Sequence, residues 1–141
     1  MKKVLYVLLA VMMVLPMIVS CSSAPEGEPV AFSNVEVVIF DATAYAEDGT
    51  RDDTFGIQLH KGEVTAYAAD VNAVTLKEVI AGYTYDNGID YVLNEYGTMY
   101  ESLAGYAGDG TFFWNYYVNG KECSLSTVVA PTDTIKIVFE K

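Results

Sequence analysis

Few residues in this sequence are able to do chemistry. The chain has one histidine, His60, and two cysteines, Cys21 and Cys123. Acid–base catalysis most often uses histidine, and a hydroxyl or thiol nucleophile needs a base beside it. Phe55, Ile57 and Leu59 occupy alternate positions of one run, so His60 is expected on the opposite, solvent-facing side of a strand. Cys123 has no accompanying His, Asn or Asp motif and reads as a quiet thiol. A Ser-His-Asp arrangement would have to use His60, and no Gly-x-Ser-x-Gly elbow is present. Glu47, Asp48, Asp52 and Asp53 offer the carboxylate oxygens that Ca²⁺ prefers, but without the Asp-x-Asp-x-Asp-Gly spacing they read as a solvated hairpin tip. No catalytic residue, metal ligand or resident cofactor is therefore expected, and the chain does not read as an enzyme.

Aromatic side chains are the richer inventory, with eleven Tyr, six Phe and one Trp. In a strand Phe112, Trp114 and Tyr116 share one face, while Phe113 and Tyr117 share the other. Tyrosine is also a good strand former with a wettable tip, so part of this inventory serves packing. Rings left unburied would form a flat recognition surface for a planar ligand, a glycan or a protein. The expected binding residues are Tyr106, Phe113 and Tyr117, beside Trp114, which is expected to sit mostly in the core. The intervening loop carries Gly105, Gly108 and Gly110, a composition that would let it close over a ligand.

The elements that must position these rings follow from composition and periodicity. The 141 residues suit one domain, and 52% hydrophobic content is enough for a core. A net charge of −11 argues against nucleic acid as a partner, since phosphate binding needs clustered Lys and Arg. Val35, Val37 and Ile39 alternate toward Tyr45, a polar turn spans 47–53, and Phe55, Ile57 and Leu59 resume the period, which predicts an antiparallel hairpin with one buried face. A short apolar stretch at 64–69 extends that sheet. Thr75 and Glu78 form a capping box ahead of Leu76, Val79 and Ile80, predicting one helix with Gly82 as its stop. Short strands are expected at 89–95 and 98–103. An aromatic strand at 112–118 then leads through the Asn119-Gly120 turn to a return strand at 121–125, and Ile135, Ile137 and Phe139 mark a last strand. The fold class is α+β, a sheet packed over one main helix.

The N-terminus supplies an address. Lys2 and Lys3 precede an apolar run at 4–19, broken only by Pro16, which is short for a membrane span and reads as the core of a secretory signal. Its end, Ile18-Val19-Ser20-Cys21, resembles the lipobox of bacterial lipoproteins. That resemblance implies cleavage after Ser20, lipidation of Cys21 and an extracytoplasmic protein anchored to the cell membrane or the outer membrane. Residues 1–20 are then signal peptide, and 21–30 are the lipidated Cys and a short flexible tether rich in Ser, Pro and Glu. Loss of Lys2 and Lys3 would take the charge from −11 to −13. Cys123 would have no partner for an intrachain disulfide.

Residues 31–141 carry a second resemblance. Val74-Thr75-Leu76 opening a helix, Tyr100-Glu101-Ser102-Leu103-Ala104-Gly105-Tyr106, and Trp114-Asn115-Tyr116-Tyr117-Val118-Asn119-Gly120 are similar to the transcobalamin-like C-terminal domain family. Pro131-Thr132-Asp133-Thr134-Ile135 matches that family's last turn, while 124–130 stands where the family usually has a Gly-rich segment. The resemblance implies a β-grasp-like mixed sheet curled around one helix, with Trp114 at the signature position. It also implies a non-catalytic module for small-ligand capture, with a corrinoid such as cobalamin as the ligand. A protein–protein or adhesion module on the cell surface would use the same rings.

Overall fold

The computed structural model describes residues 25–141. The expected N-terminal signal and Cys21 lie outside the described residues. Two long antiparallel strands, β1 (Glu28–Ile39) and β2 (Ile57–Ala68), are followed by helix α1 (Leu76–Asn87). Three short strands come next: β3 (Tyr91–Leu93), β4 (Tyr100–Leu103) and β5 (Tyr106–Ala107). The hairpin of β6 (Phe113–Val118) and β7 (Lys121–Cys123) precedes the last strand, β8 (Thr134–Glu140). The main sheet has the order β2-β1-β8-β6-β7, and β1 runs parallel to β8 while its other pairings are antiparallel. β3, β4 and β5 form a separate small sheet. This is a sheet-dominated α+β fold.

Alternation puts every second residue of the central strands under α1. Val35, Val37 and Ile39 of β1 lie level with Ile135, Ile137 and Phe139 of β8, and all six are buried. Trp114 and Tyr116 continue that inner face on β6, each also buried. The helix contributes Leu76, Val79, Ile80 and Tyr83. Removing this apolar surface from water drives the fold, at about 25 cal/mol per Å².

The capping box forms as read. Glu78 N–H donates to Thr75 Oγ1 at 3.4 Å, and Thr75 N–H donates to Glu78 Oε2 at 2.7 Å. The expected stop at Gly82 is corrected, because α1 continues to Asn87 and ends on Gly88, which holds the left-handed φ of 62°. Gly82 has a different use. A Cβ there would stand 1.9 Å from the carbonyl oxygen of Thr65, so the glycine lets the helix backbone settle on β2.

β1 ends at Ile39 and does not run toward Tyr45, because residues 42–44 form a 3-10 turn capped by the Asp41 side chain. Its start, at Glu28, places residues 28–30 in the sheet although their composition reads as tether. Pro29 is tolerated there since β8 pairs with β1 only from Asn34 onward, so that side of Pro29 has no ladder bond to lose.

The face assignment in β2 is also corrected. Val37 is level with His60 and Val38 with Gln58, so Leu59 is an extra, bulged residue. His60 shares the period-two phase of Gly62, Val64, Ala66 and Ala68, so it lies on the inner face, half-buried, with its ring 5.3 Å from that of Tyr83 and its Nε2 buried without a hydrogen-bond partner. Phe55, Ile57 and Leu59 are exposed, and Val64, Ala66 and Ala68 supply the buried side of β2 instead. The strand expected at 89–95 is shorter, at Tyr91–Leu93, and the return strand ends at Cys123.

Candidate functional site

Because α1 covers only the inner face, the outer face of the main sheet is left to side chains and to the 41–56 connection. Register sets three rows across it. Glu36, Lys136 and Tyr117 form the first row, Val38, Val138 and Asn115 the second, and Glu140 with Phe113 the third. Phe40 follows Ile39 and packs with Val38, Ala44 and Val138 in a small second core, against which Tyr117 rests.

Arg51, the one arginine of the chain, reaches onto this face from the connection. Its guanidinium lies 4.1 Å from the centre of the Phe40 ring, Nε donates to Asp53 at 2.6 Å, and Nη1 donates to Glu140 Oε2. Glu140 is only 8% exposed, and a carboxylate that dry is costly unless paired and hydrogen-bonded. Its other oxygen accepts from the Tyr117 hydroxyl and from Asn115 Nδ2 at 3.3 Å. The bond to Glu140, with burial behind it, pushes the Tyr117 phenol up to about 12, so the ring stays neutral at physiological pH.

The geometry of that bond shapes the site. Tyr117 is level with Lys136, four residues before Glu140 on β8. That is about 13 Å along the strand, a gap that a tyrosine and a glutamate close only by both lying along the sheet. Tyr117 therefore rests against the small core that includes Val138 and stays partly exposed. Around it opens a groove of about 400 Å³, with Glu36 and Lys136 at one end and Phe40, Arg51 and Glu140 at the other. Lys136 Nζ lies 4.0 Å from Glu36 Oε2. A second, shallower hollow of about 370 Å³ lies on the far side of Arg51, between Tyr45 and Phe55.

The expected binding residues are divided by the sheet. Tyr117 and Phe113 share the outer face, where Phe113 is 41% exposed. Trp114 is 2% exposed in the inner core, and its Nε1 donates to the carbonyl of Tyr106 at 2.9 Å. Tyr106 packs its ring on Phe139 at 5.7 Å, also on the inner side. The structure thus puts Tyr117 and Phe113 on one face, four residues apart on β6, and places Tyr106 and Trp114 across the sheet from them. Arg51, Glu140, Phe40, Lys136 and Glu36 escape the sequence reading. The signals available for them are a lone arginine and an acid at the end of an apolar strand.

The remaining candidates have structural employment. Asp48 and Asp52 accept from the backbone N–H of Thr50 and Thr54, each at 2.9 Å, and their pKa values are lowered by hydrogen bonds from those threonines. Asp53 holds Arg51. Among the described residues no three His, Cys, Asp or Glu converge on a metal position. The Cys123 thiol is half-buried, contacts the Tyr116 carbonyl at 3.6 Å and has its pKa raised by burial. No helix among the described residues is long and apolar enough to cross a membrane. No protein-family model matches the chain, and no curated protein matches it.

Proposed function

We propose that this chain is a non-catalytic binding lipoprotein, anchored outside the cytoplasm by lipid on Cys21, that captures a small ligand in the outer groove of its sheet. The observation that carries the reading is the Tyr117–Glu140–Arg51 network, which holds a buried carboxylate and a partly exposed tyrosine ring in a groove of about 400 Å³. Pre-organised polar groups beside an apolar floor are the usual make-up of a small-molecule site. The strand order, with β1 and β8 parallel at the centre and one helix across them, supports a β-grasp-like architecture. That architecture keeps the resemblance to transcobalamin-like domains, and with it a corrinoid, among the ligands to try.

Two measurements test this. Metabolic labelling with a palmitate analogue should tag the protein, and Cys21→Ala should abolish the tag; a tag that persists removes the anchor. Calorimetric titration with cobalamins and with a library of small polar ligands should give at least one saturable response that Glu140→Gln weakens. Responses confined to proteins would favour the second reading, a protein–protein or adhesion module. Exposed Phe113 beside the groove and exposed Phe55 on the 41–56 connection favour that alternative.

A further inference from the structure

We propose that the outer groove takes a neutral, polyhydroxylated ring, a sugar unit stacked on Tyr117 and hydrogen-bonded by the charged pairs on either side. This rests on the small-ligand reading above and adds the chemical class.

The first support is the shape of the floor. Tyr117 lies along the sheet against the small core that includes Val138, held at its hydroxyl by Glu140, so its ring cannot swing without breaking that bond. A fixed, partly exposed ring that lines the groove loses little side-chain entropy on binding and offers an apolar surface to the C–H face of a pyranose.

Charge is the second. The groove is lined by two carboxylates, Glu36 and Glu140, and two cations, Arg51 and Lys136. They are already matched: Arg51 binds Glu140 and Asp53, and Lys136 stands beside Glu36. An anionic ligand would meet a carboxylate beside each cation, and a cation would meet Arg51 or Lys136 beside each carboxylate, so either kind of charge is repelled as well as attracted. A neutral hydroxyl meets no such repulsion. It accepts from guanidinium or ammonium N–H groups not used in these pairs and donates to free carboxylate lone pairs, forming charge-assisted hydrogen bonds. The neutral phenol of Tyr117 adds no charge to this balance.

The test is calorimetric titration of the full chain in a zwitterionic detergent without a sugar headgroup. The probes are glucose, galactose and N-acetylglucosamine, with glucuronate, inorganic phosphate and cyanocobalamin for comparison. Saturable binding of at least one neutral sugar is expected, weakened about tenfold by Tyr117→Ala and by less than that by Tyr117→Phe, which keeps the ring but loses the hydroxyl that fixes it. Tyr96→Ala, at an exposed ring that does not line the groove, should leave it unchanged. If Tyr117→Ala fails to fold, Lys136→Met, at an exposed side chain, should weaken binding about fivefold. Tighter binding of glucuronate, phosphate or cyanocobalamin than of any neutral sugar overturns the sugar class and leaves the groove standing. Sugar binding that ignores the Tyr117 and Lys136 substitutions overturns the assignment to the groove. No response to any neutral sugar overturns the inference, while the small-ligand reading stands or falls on the wider library.

Discussion

Arg51 and Glu140, eighty-nine residues apart in the chain, meet in an ion pair that ties the 41–56 connection to the last strand. The pair is asymmetric: the Arg51 side chain is 33% exposed and that of Glu140 only 10%. Breaking it from the exposed side leaves the buried partner to bear the loss.

Arg51→Ala is therefore expected to destabilise the domain by about 1–3 kcal/mol, the cost of leaving a buried acceptor short of a donor. Adding Glu140→Gln should cost less than the sum of the two single changes. Urea unfolding of the four proteins in the cycle measures this. Additive losses would mean that the two side chains do not act on each other in solution.

Gly82→Ala should be more harmful than an ordinary helix Gly→Ala change, which is usually favourable. Its new methyl would meet the Thr65 carbonyl at 1.9 Å, and α1 would have to lift from β2. A loss of about 2 kcal/mol or more is expected, on the scale of overpacking. A raised melting temperature in this variant would show that helix and strand are not in this contact.

The Asn119-Gly120 turn has φ of 52° and 79° at its two central residues, as a type I′ hairpin requires. Asn119 also donates from Nδ2 to Asp133 and accepts from Thr134 N–H, each at 2.9 Å, so the turn is bolted to the start of β8. Gly120→Val should cost roughly 1–3 kcal/mol. An unchanged thermal midpoint would place the turn elsewhere.

At alkaline pH the domain should lose stability from about pH 10 upward. The phenol of Tyr117 is pushed up to about 12 by its bond to Glu140 and by burial, and burial also raises the phenols of Tyr100 and Tyr116. A raised folded pKa means that the unfolded chain releases protons the folded domain keeps. The stabilisation is thus complete below the ordinary tyrosine pKa of about 10 and disappears as pH rises through the folded values. Phenolate absorbance followed beside circular dichroism should show these tyrosines ionising together with unfolding. Their full ionisation near pH 10 in a folded protein would contradict the geometry.

Features written in local physics are legible from the residues alone. The Thr75–Glu78 cap, the Asn119-Gly120 turn and the alternation of Val35, Val37 and Ile39 each depend on residues a few positions apart, and each appears in the structure where the sequence puts it. Trp114 is core for a similar reason, since the largest ring on an alternating strand is the best packing element available to it. The places where two distant segments must fit are settled only once the chain has folded. His60 faces inward because the buried phase of β2 is that of Val64, Ala66 and Ala68, and pairing with β1 decides this, since Phe55, Ile57 and Leu59 offer the opposite phase with equal alternation. Gly82 is spacing for Thr65, although in isolation it has the look of a helix stop. The groove belongs to the same class. Glu36, Arg51, Tyr117 and Glu140 come from four separate segments, and only the pairing of β8 with β1 on one side and β6 on the other puts Glu36, Tyr117 and Glu140 on one face. That pairing also divides Tyr106 from Tyr117, because it gives the inner face to the helix and leaves the outer face to whatever binds there.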